Sequence, residues 1–427
     1  MNDPALPILR LDERTYGRGL ACVHCGMCLP ACPTYVETGN ESDSPRGRIQ
    51  LMLGLSDGRI AASEAVLRHL DLCLDCRACE TACPSEVVYH ELIEQTRQRL
   101  PSRPRLRLRA RALLWLALNV LTRPTAAKIL LMPAKLLRRI GGERFAPRGV
   151  AKLLGMLPKQ GRLWPARLPE MSPIVSNPKA RVGFLSGCVA GVVDDELNRR
   201  TLDVLCACGA DVRVPRLQVC CGAIHHHNGA HEQAASLARR NIDAFAECGA
   251  DFIVTNVAGC GAMLREYDQL LRDDPAYAAR AKEFSSRVRD VCAMVAHLGL
   301  PPMKHPIDQS ITYHDACHLV HAQRVSVEPR ELLARVPGLR IIPLPESDMC
   351  CGAAGTYNLT QPEMSERLAD RKLENIALTG ATACVTGNVG CAMQIRAHAA
   401  RRGLRLHVVH PVALIHRSLF GGEKMGD

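Results

Sequence analysis

Short apolar runs alternate with amphipathic stretches through the second half of the chain. "RVGFLSGC" is apolar and β-prone and ends at Cys188; a helical stretch follows, then "ADVRVPRLQVCCG" with Cys220 and Cys221. A further helical stretch leads to "ADFIVTNVAGC", ending at Cys260. The order then returns in "ITYHDAC" (Cys317), "LRIIPLPESDMCCG" (Cys350, Cys351) and "ATACVTGNVGC" (Cys391). The first, second and final cysteines are offset by 129, 130 and 131 residues, and near-constant offsets across three landmarks mark a tandem duplication. Each copy alternates strand and helix patterns, which predicts a small α/β unit with a largely parallel sheet. The cysteines fall at the C-terminal ends of the strands, where such sheets present ligands.

The first half reads differently. "SPRGRIQLMLGL" (44–55) predicts a short helix with a basic start, and "SEAVLRHLDLCLDC" a second helix running into a cysteine cluster. Further on, "RPRLRLRARALLWLALNVL" and "AAKILLMPAKLLRRI" predict two helices with apolar and basic faces. The longest apolar run, residues 112–121, is about half of what a spanning helix needs. The opening "MNDPALPILRLDERTYG" has acidic residues and no apolar core, so no signal peptide is expected.

Charge sharpens the division. Residues 101–180 hold ten of the 27 prolines, and 17 Lys and Arg against two Glu, a balance of +15 where the whole chain carries +11. The basic excess is therefore one segment. It suits an anionic membrane surface, an acidic partner, or a linker packed over the rest of the protein. Nucleic acid is not expected, because aromatics are only 4% and no binding motif is present.

Cysteine is the unusual component, at 21 residues. With no secretory signal expected, that number points to a reducing compartment and to metal or redox chemistry rather than disulfides. Cys22, Cys25, Cys28, Cys32 and Pro33 form C-x2-C-x2-C-x3-C-P, and Cys73, Cys76, Cys79, Cys83 and Pro84 repeat it. This spacing resembles the bacterial ferredoxin run. Three closely spaced thiolates wrap three corners of a 4Fe–4S cube. The fourth cysteine is expected to begin a helix that points elsewhere, and in two-cluster ferredoxins it ligates the other cube. The resemblance implies Cys22, Cys25, Cys28 and Cys83 for one cluster, and Cys32, Cys73, Cys76 and Cys79 for the second. Zinc explains the pattern less well, since it needs four ligands rather than two interleaved runs. Arg46 and Arg48, between the runs, suit either neutralisation of cluster charge or a solvated helix start.

The repeats C-x31-CCG-x37-C and C-x32-CCG-x38-C resemble the cysteine-rich CCG domains of heterodisulfide reductase-like proteins. Behind two ferredoxin motifs, with "ACVHCGMCLPACPTY", "DSPRGRI", "CCGAAGTYNLT" and "GNVGC", nearly the whole chain resembles the iron–sulfur subunit family of glycolate oxidase. The resemblance implies an α+β multidomain protein. Residues 1–100 are a mainly helical two-cluster domain and 101–180 a basic, proline-rich helical linker. Residues 181–305 and 306–427 are two tandem α/β CCG domains. It implies partner subunits that carry FAD and oxidise glycolate to glyoxylate. This chain would relay electrons to a quinone-type acceptor, from a cytoplasmic position peripheral to the inner face of the inner membrane.

The fuller CCG pattern ends in C-x2-C, and its penultimate thiol is replaced here by Val257 and Asn388. Each copy keeps four thiols: Cys188, Cys220, Cys221 and Cys260 in the first, Cys317, Cys350, Cys351 and Cys391 in the second. They are candidates for a further iron–sulfur centre or relics of one. Adjacent cysteines point apart in an extended chain, which counts against a shared site. Cys206, Cys208, Cys248, Cys292 and Cys384 read as small core residues. His225, His226, His227, His314, His318 and His321 flank the cysteines, and structural or supporting roles are expected of them before direct ligation.

No GxGxxG opens a helix after a strand and no P-loop or serine-triad motif is present, so hydride chemistry belongs to a flavin on another chain and no catalytic residue is expected here. Three rivals remain open at this level. One is the same role in a lactate or anaerobic glycerol-3-phosphate dehydrogenase system. Another makes the CCG half a disulfide-reducing catalyst. The third is a zinc-dependent scaffold.

Overall fold

The structure, a computed structural model, describes residues 9–100, 108–142, 146, 154–157, 162–172 and 176–422. The N-terminal domain is all helical: Glu13–Leu20, Pro33–Thr38, Pro45–Ser56, Glu64–Asp71, Ala78–Thr81 and Tyr89–Arg99. Local chemistry sets these ends. Asp12 accepts from the Thr15 N–H, Ser44 from Gly47 and Ser63 from Val66, each supplying an oxygen to an orphan helix donor. Pro33 and Pro45 occupy first helical positions, where a missing N–H costs nothing. Cys32 does begin a helix, but Cys83 does not: Pro84 lies in a turn and the next helix starts only at Tyr89. Met52, Leu70, Leu92 and Ile93 close the core beneath the two cysteine loops.

The basic segment holds Leu108–Leu116, a π-helical turn Ala117–Leu121, and Pro124–Arg139. Residues 170–172 then pair with residues 212–214, adding an antiparallel edge to the first sheet. The charge run at 103–107, and the side chains of 108–110, lie outside the described residues.

The duplication is visible in the topology. β1 (Ala180–Leu185), β2 (Ala210–Arg213), β3 (Phe252–Thr255) and β4 (Val288–Asp290) form a parallel sheet in the order β2-β1-β3-β4. β5 (Gln309–Tyr313), β6 (Leu339–Ile342), β7 (Ala383–Val385) and β8 (His407–Val409) repeat it as β6-β5-β7-β8. The last helix of each copy bridges to the other copy. Val412 and Ile415, on Pro411–Phe420 after β8, join the core of Val182 and Leu205 in the first copy. Helix Val291–Leu298, after β4, packs on Glu328–Ala334 of the second. Burial of these apolar side chains, worth roughly 1.5–3 kcal/mol each, welds the two α/β units into one body.

Candidate metal centres

Each cysteine loop turns its thiols inward by the same backbone device. In the first, His24 and Gly26 have φ of 56° and 85°; in the second, 51 residues later, Asp75 and Arg77 have 54° and 62°. Alternating left-handed residues curl the chain so that every third side chain points to one centre. Cys22, Cys25, Cys28 and Cys83 line one hollow. Cys32, Cys73, Cys76 and Cys79 line another. The fourth cysteine of each run thus stands with the other run's first three. Burial, then neighbouring thiols, push Cys28 up to about 11. Burial does the same more strongly to Cys76 and Cys79. Four thiols gathered around one hollow are the donor chemistry of a metal centre, where a cation stabilises their anionic forms.

The hollows differ in setting. Cys25 is exposed, whereas Cys32, Cys73, Cys76 and Cys79 are all buried. Arg46 lines the outer hollow, donating to the His24 carbonyl at 2.8 Å and pairing with Glu41. Arg48 lines the inner one, 1% exposed, with Nη1 3.9 Å from Cys32 Sγ and Nη2 3.0 Å from Thr34 Oγ1. Its charge is held up by Cys73, Cys32 and Asp43 against burial. Neither arginine is a merely solvated helix start. The Asp75 N–H (3.4 Å) and the Tyr89 hydroxyl (3.6 Å) both donate to Cys73 Sγ.

The inner loop is wedged between the two α/β copies by a network of buried charges. Arg77 pairs with Glu266 of the first copy and, at 3.5 Å, with Glu94. His226 Nε2 lies 3.0 Å from Glu94, and His227 Nδ1 3.2 Å from Asp75. Asp75, Glu94 and His227 come close enough to hold an ion, but Arg77 and Arg97 already supply the positive charge there. From the second copy, His318 Nε2 donates to the Asp75 carbonyl at 2.9 Å and the Tyr357 hydroxyl to the Leu72 carbonyl at 2.8 Å. Burial, with His227 and Arg77 nearby, pushes His318 down to about 4, so its ring is neutral. His321 meets Thr81 Oγ1 at 2.9 Å. His226, His227, His318 and His321 are therefore clamps on the inner loop. Asp75 and Arg77 inside "LDCRAC" were the sequence's one signal of this junction: charged residues between closely spaced cysteines.

The adjacent cysteines do not point apart. In the first copy Cys188 Sγ is 3.4 Å from Cys220 Sγ, Cys220 touches Cys221, and Cys221 touches Cys260. In the second, Cys317 touches Cys350, Cys350 touches Cys351, and Cys351 touches Cys391. The CCG glycines make this turn. Gly222 and Gly352 have φ of 90° and 79°, and a Cβ on Gly352 would lie 2.6 Å from the Ser365 carbonyl oxygen. Each set of four thiols is thus contiguous. Cys208 and Cys292 are buried in the core of the first copy, Cys384 is buried in the cluster that also holds Cys351 and Cys391, and Cys206 and Cys248 are half-buried. Among the described residues, no helix is long and apolar enough to cross a membrane.

Comparison with known proteins agrees with this layout. Residues 19–87 match the 4Fe-4S dicluster domain, and residues 182–265 and 311–396 each match the Cysteine-rich domain, CCG. The chain is 37% identical to the probable glycolate oxidase iron-sulfur subunit of Bacillus subtilis (strain 168), over 95% of this chain and 94% of that one. It is 34% identical to the glycolate oxidase iron-sulfur subunit of Escherichia coli (strain K12), over 93% and 94%. Lactate utilization protein A of Halalkalibacterium halodurans is 29% identical over 54% of this chain and 94% of its own. A crystal structure of a hypothetical protein from Helicobacter pylori has a similar fold, with a TM-score of 0.57 at 8% identity, over 96% of this chain and 75% of that one.

Proposed function

The chain belongs to the family of glycolate oxidase iron–sulfur subunits, and from that premise we propose that it relays electrons within a glycolate dehydrogenase complex. Partner subunits carrying FAD oxidise glycolate to glyoxylate; this chain accepts their electrons and passes them to a quinone-type acceptor. The observation that carries the reading is the pair of four-thiol hollows, one opening to the surface at Cys25 and one buried at the junction of three domains.

Cys22, Cys25, Cys28 and Cys83 would hold one 4Fe–4S cluster, and Cys32, Cys73, Cys76 and Cys79 the other. A bound cluster supplies a one-electron couple, which emptying a two-electron flavin requires. The chain's own residues tune and protect the sites. Arg46 and Arg48 offset thiolate charge, and the donors to Cys73 Sγ withdraw charge from sulfur, which raises a cluster's potential. The domain junction keeps water from the inner site, while the exposed rim of Leu20, Val23 and Met27 around the outer one suits a docking flavoprotein.

The helices Leu108–Leu116 and Pro124–Arg139 support a peripheral membrane contact on the cytoplasmic side. Trp115 (61% exposed), Ile129 and Ile140 stand in solvent beside Arg111, Arg123 and Arg139, the composition of a helix lying in an anionic interface. Lactate is the second substrate reading, favoured by the similarity to lactate utilization proteins.

The test is anaerobic purification of the chain from its host with its partners, followed by addition of substrate. Bleaching of the iron–sulfur absorption by glycolate but not by lactate or glycerol-3-phosphate is the expected result. A flavin-containing complex that dithionite bleaches and glycolate does not would remove glycolate and keep the relay.

A further inference from the structure

The two α/β copies carry the same four thiols, yet one position above them differs. Leu185 at the end of β1 corresponds to His314, the residue that follows β5, each three residues before its copy's first cysteine. Leu185 is fully buried in an apolar cluster that includes Cys221. His314 is also fully buried, and one of its ring nitrogens lies within 4.8 Å of both Cys351 Sγ and Cys391 Sγ. Nδ1 is 3.0 Å from the Ser347 carbonyl oxygen, which only accepts, so Nδ1 carries the proton. Nε2 is then a bare lone pair, buried, with no oxygen or nitrogen partner. Cys351 is the side chain that the ring meets. A ring oriented by a backbone carbonyl through one nitrogen, with the other aimed at thiols, is how proteins present a metal-ligating histidine.

We propose that the second copy holds an iron–sulfur centre in which His314 Nε2 is a direct ligand beside thiolates from Cys317, Cys350, Cys351 and Cys391. The inference rests on the iron–sulfur reading of the chain. Asn388, which stands where the fuller pattern has a cysteine, donates from Nδ2 to Cys391 Sγ at 3.3 Å, so it supports a thiolate rather than replacing one. The missing donor comes instead from just past the neighbouring strand, at His314. The site adjoins the inner cysteine loop: Cys76 and Cys350 share one apolar cluster, with Cys317 packed against it. Imidazole in place of a thiolate removes a negative charge and raises the potential of an iron–sulfur centre. A centre of this composition beside the inner loop would therefore be an electron sink rather than a second entry point.

The test uses the full chain in its complex, purified anaerobically from cells fed 15N-histidine and reduced with dithionite. Pulsed electron paramagnetic resonance should show a strongly coupled histidine nitrogen, and iron in excess of what the two cysteine loops retain. In His314→Cys the iron should stay while the nitrogen coupling falls to background; in His314→Ala the excess iron should go too. Absent histidine coupling, coupling that survives in His314→Cys, or zinc in place of the excess iron would each overturn the proposal. Loss of iron in Cys25→Ser and Cys76→Ser, measured in parallel, reports on the two loops separately. A failure at His314 is thereby distinguished from a failure of the electron-relay reading.

Discussion

Arg77 illustrates how much a single position in a cysteine loop carries. The corresponding position of the first loop is Gly26, which takes a left-handed backbone freely; Arg77 takes it with a side chain, at a cost of order 1–3 kcal/mol. Its ion pairs with Glu266 and Glu94 offset that cost, and the pair with Glu266 also joins the loop to the first α/β copy. Glu266→Gln leaves a buried guanidinium short of charge and should destabilise the protein by about 3 kcal/mol, read as a shift in urea midpoint; a shift near zero would mean the pair is dispensable. Gly352→Ala puts a Cβ into the Ser365 carbonyl and should cost about 2 kcal/mol or more by the same assay. At the thiols, Cys25→Ser and Cys76→Ser should each remove roughly half of the loop-bound iron. The second should also weaken the fold, because Cys76 lies inside the three-domain junction. Unchanged iron in both variants would sink the ligand assignment.

Two helices set the pH behaviour of the junction. Tyr89–Arg99 carries His90 and Glu94, and Ala223–His227 brings His226 against Glu94. Burial pushes Glu94 up, but His226 and Arg77 outweigh it and hold the carboxyl at about 2, below its usual 4.5. Its contribution is complete above pH 4.5 and is lost as pH falls toward 2. Burial and Arg77 push His90 down, but its bond to Glu80 outweighs them and raises it from 6.5 to about 9. That contribution is complete below pH 6.5 and is lost as pH rises through 9. Thermal melting should therefore peak between about pH 4.5 and 6.5 and fall by a few degrees on the alkaline side. In Glu80→Gln the alkaline limb should flatten; an unchanged limb would assign it to another group.

At the scale of the molecule, three domains meet on one short loop, and the basic helices leave apolar side chains such as Trp115 and Ile129 exposed. Trp115→Asp with Ile129→Asp should reduce binding of the complex to anionic vesicles at least tenfold, since each buried apolar side chain is worth roughly 1.5–3 kcal/mol. Flotation equal to the parent complex would return these helices to the role of a linker. The last helix, which packs against both copies, makes a related point. Val412 and Ile415 complete the first copy's core, so a chain stopped before Pro411 should expose that core and aggregate, although all eight strands remain.

Much of this was legible along the chain because it is periodic and local. The two cysteine runs, the 129-residue repeat and the α/β alternation are spacings, and a spacing constrains a backbone wherever it occurs. The four-thiol grouping in each copy was less legible. An extended CCG segment sends neighbouring side chains to opposite faces, and only the left-handed Gly222 and Gly352, packed under a following helix, bring them together. The charged junction was not legible at all, beyond the oddity of Asp75 and Arg77 between cysteines. Its partners Glu94, His226, Glu266 and His318 are distant in sequence, and a charge tolerates burial only where tertiary packing delivers its counter-charge. The same holds where β1 and β5 end. Sequence order alone determined that a leucine stands at one place and a histidine at the other; the fold decided that the histidine ring would be buried, oriented by Ser347 and turned toward thiols.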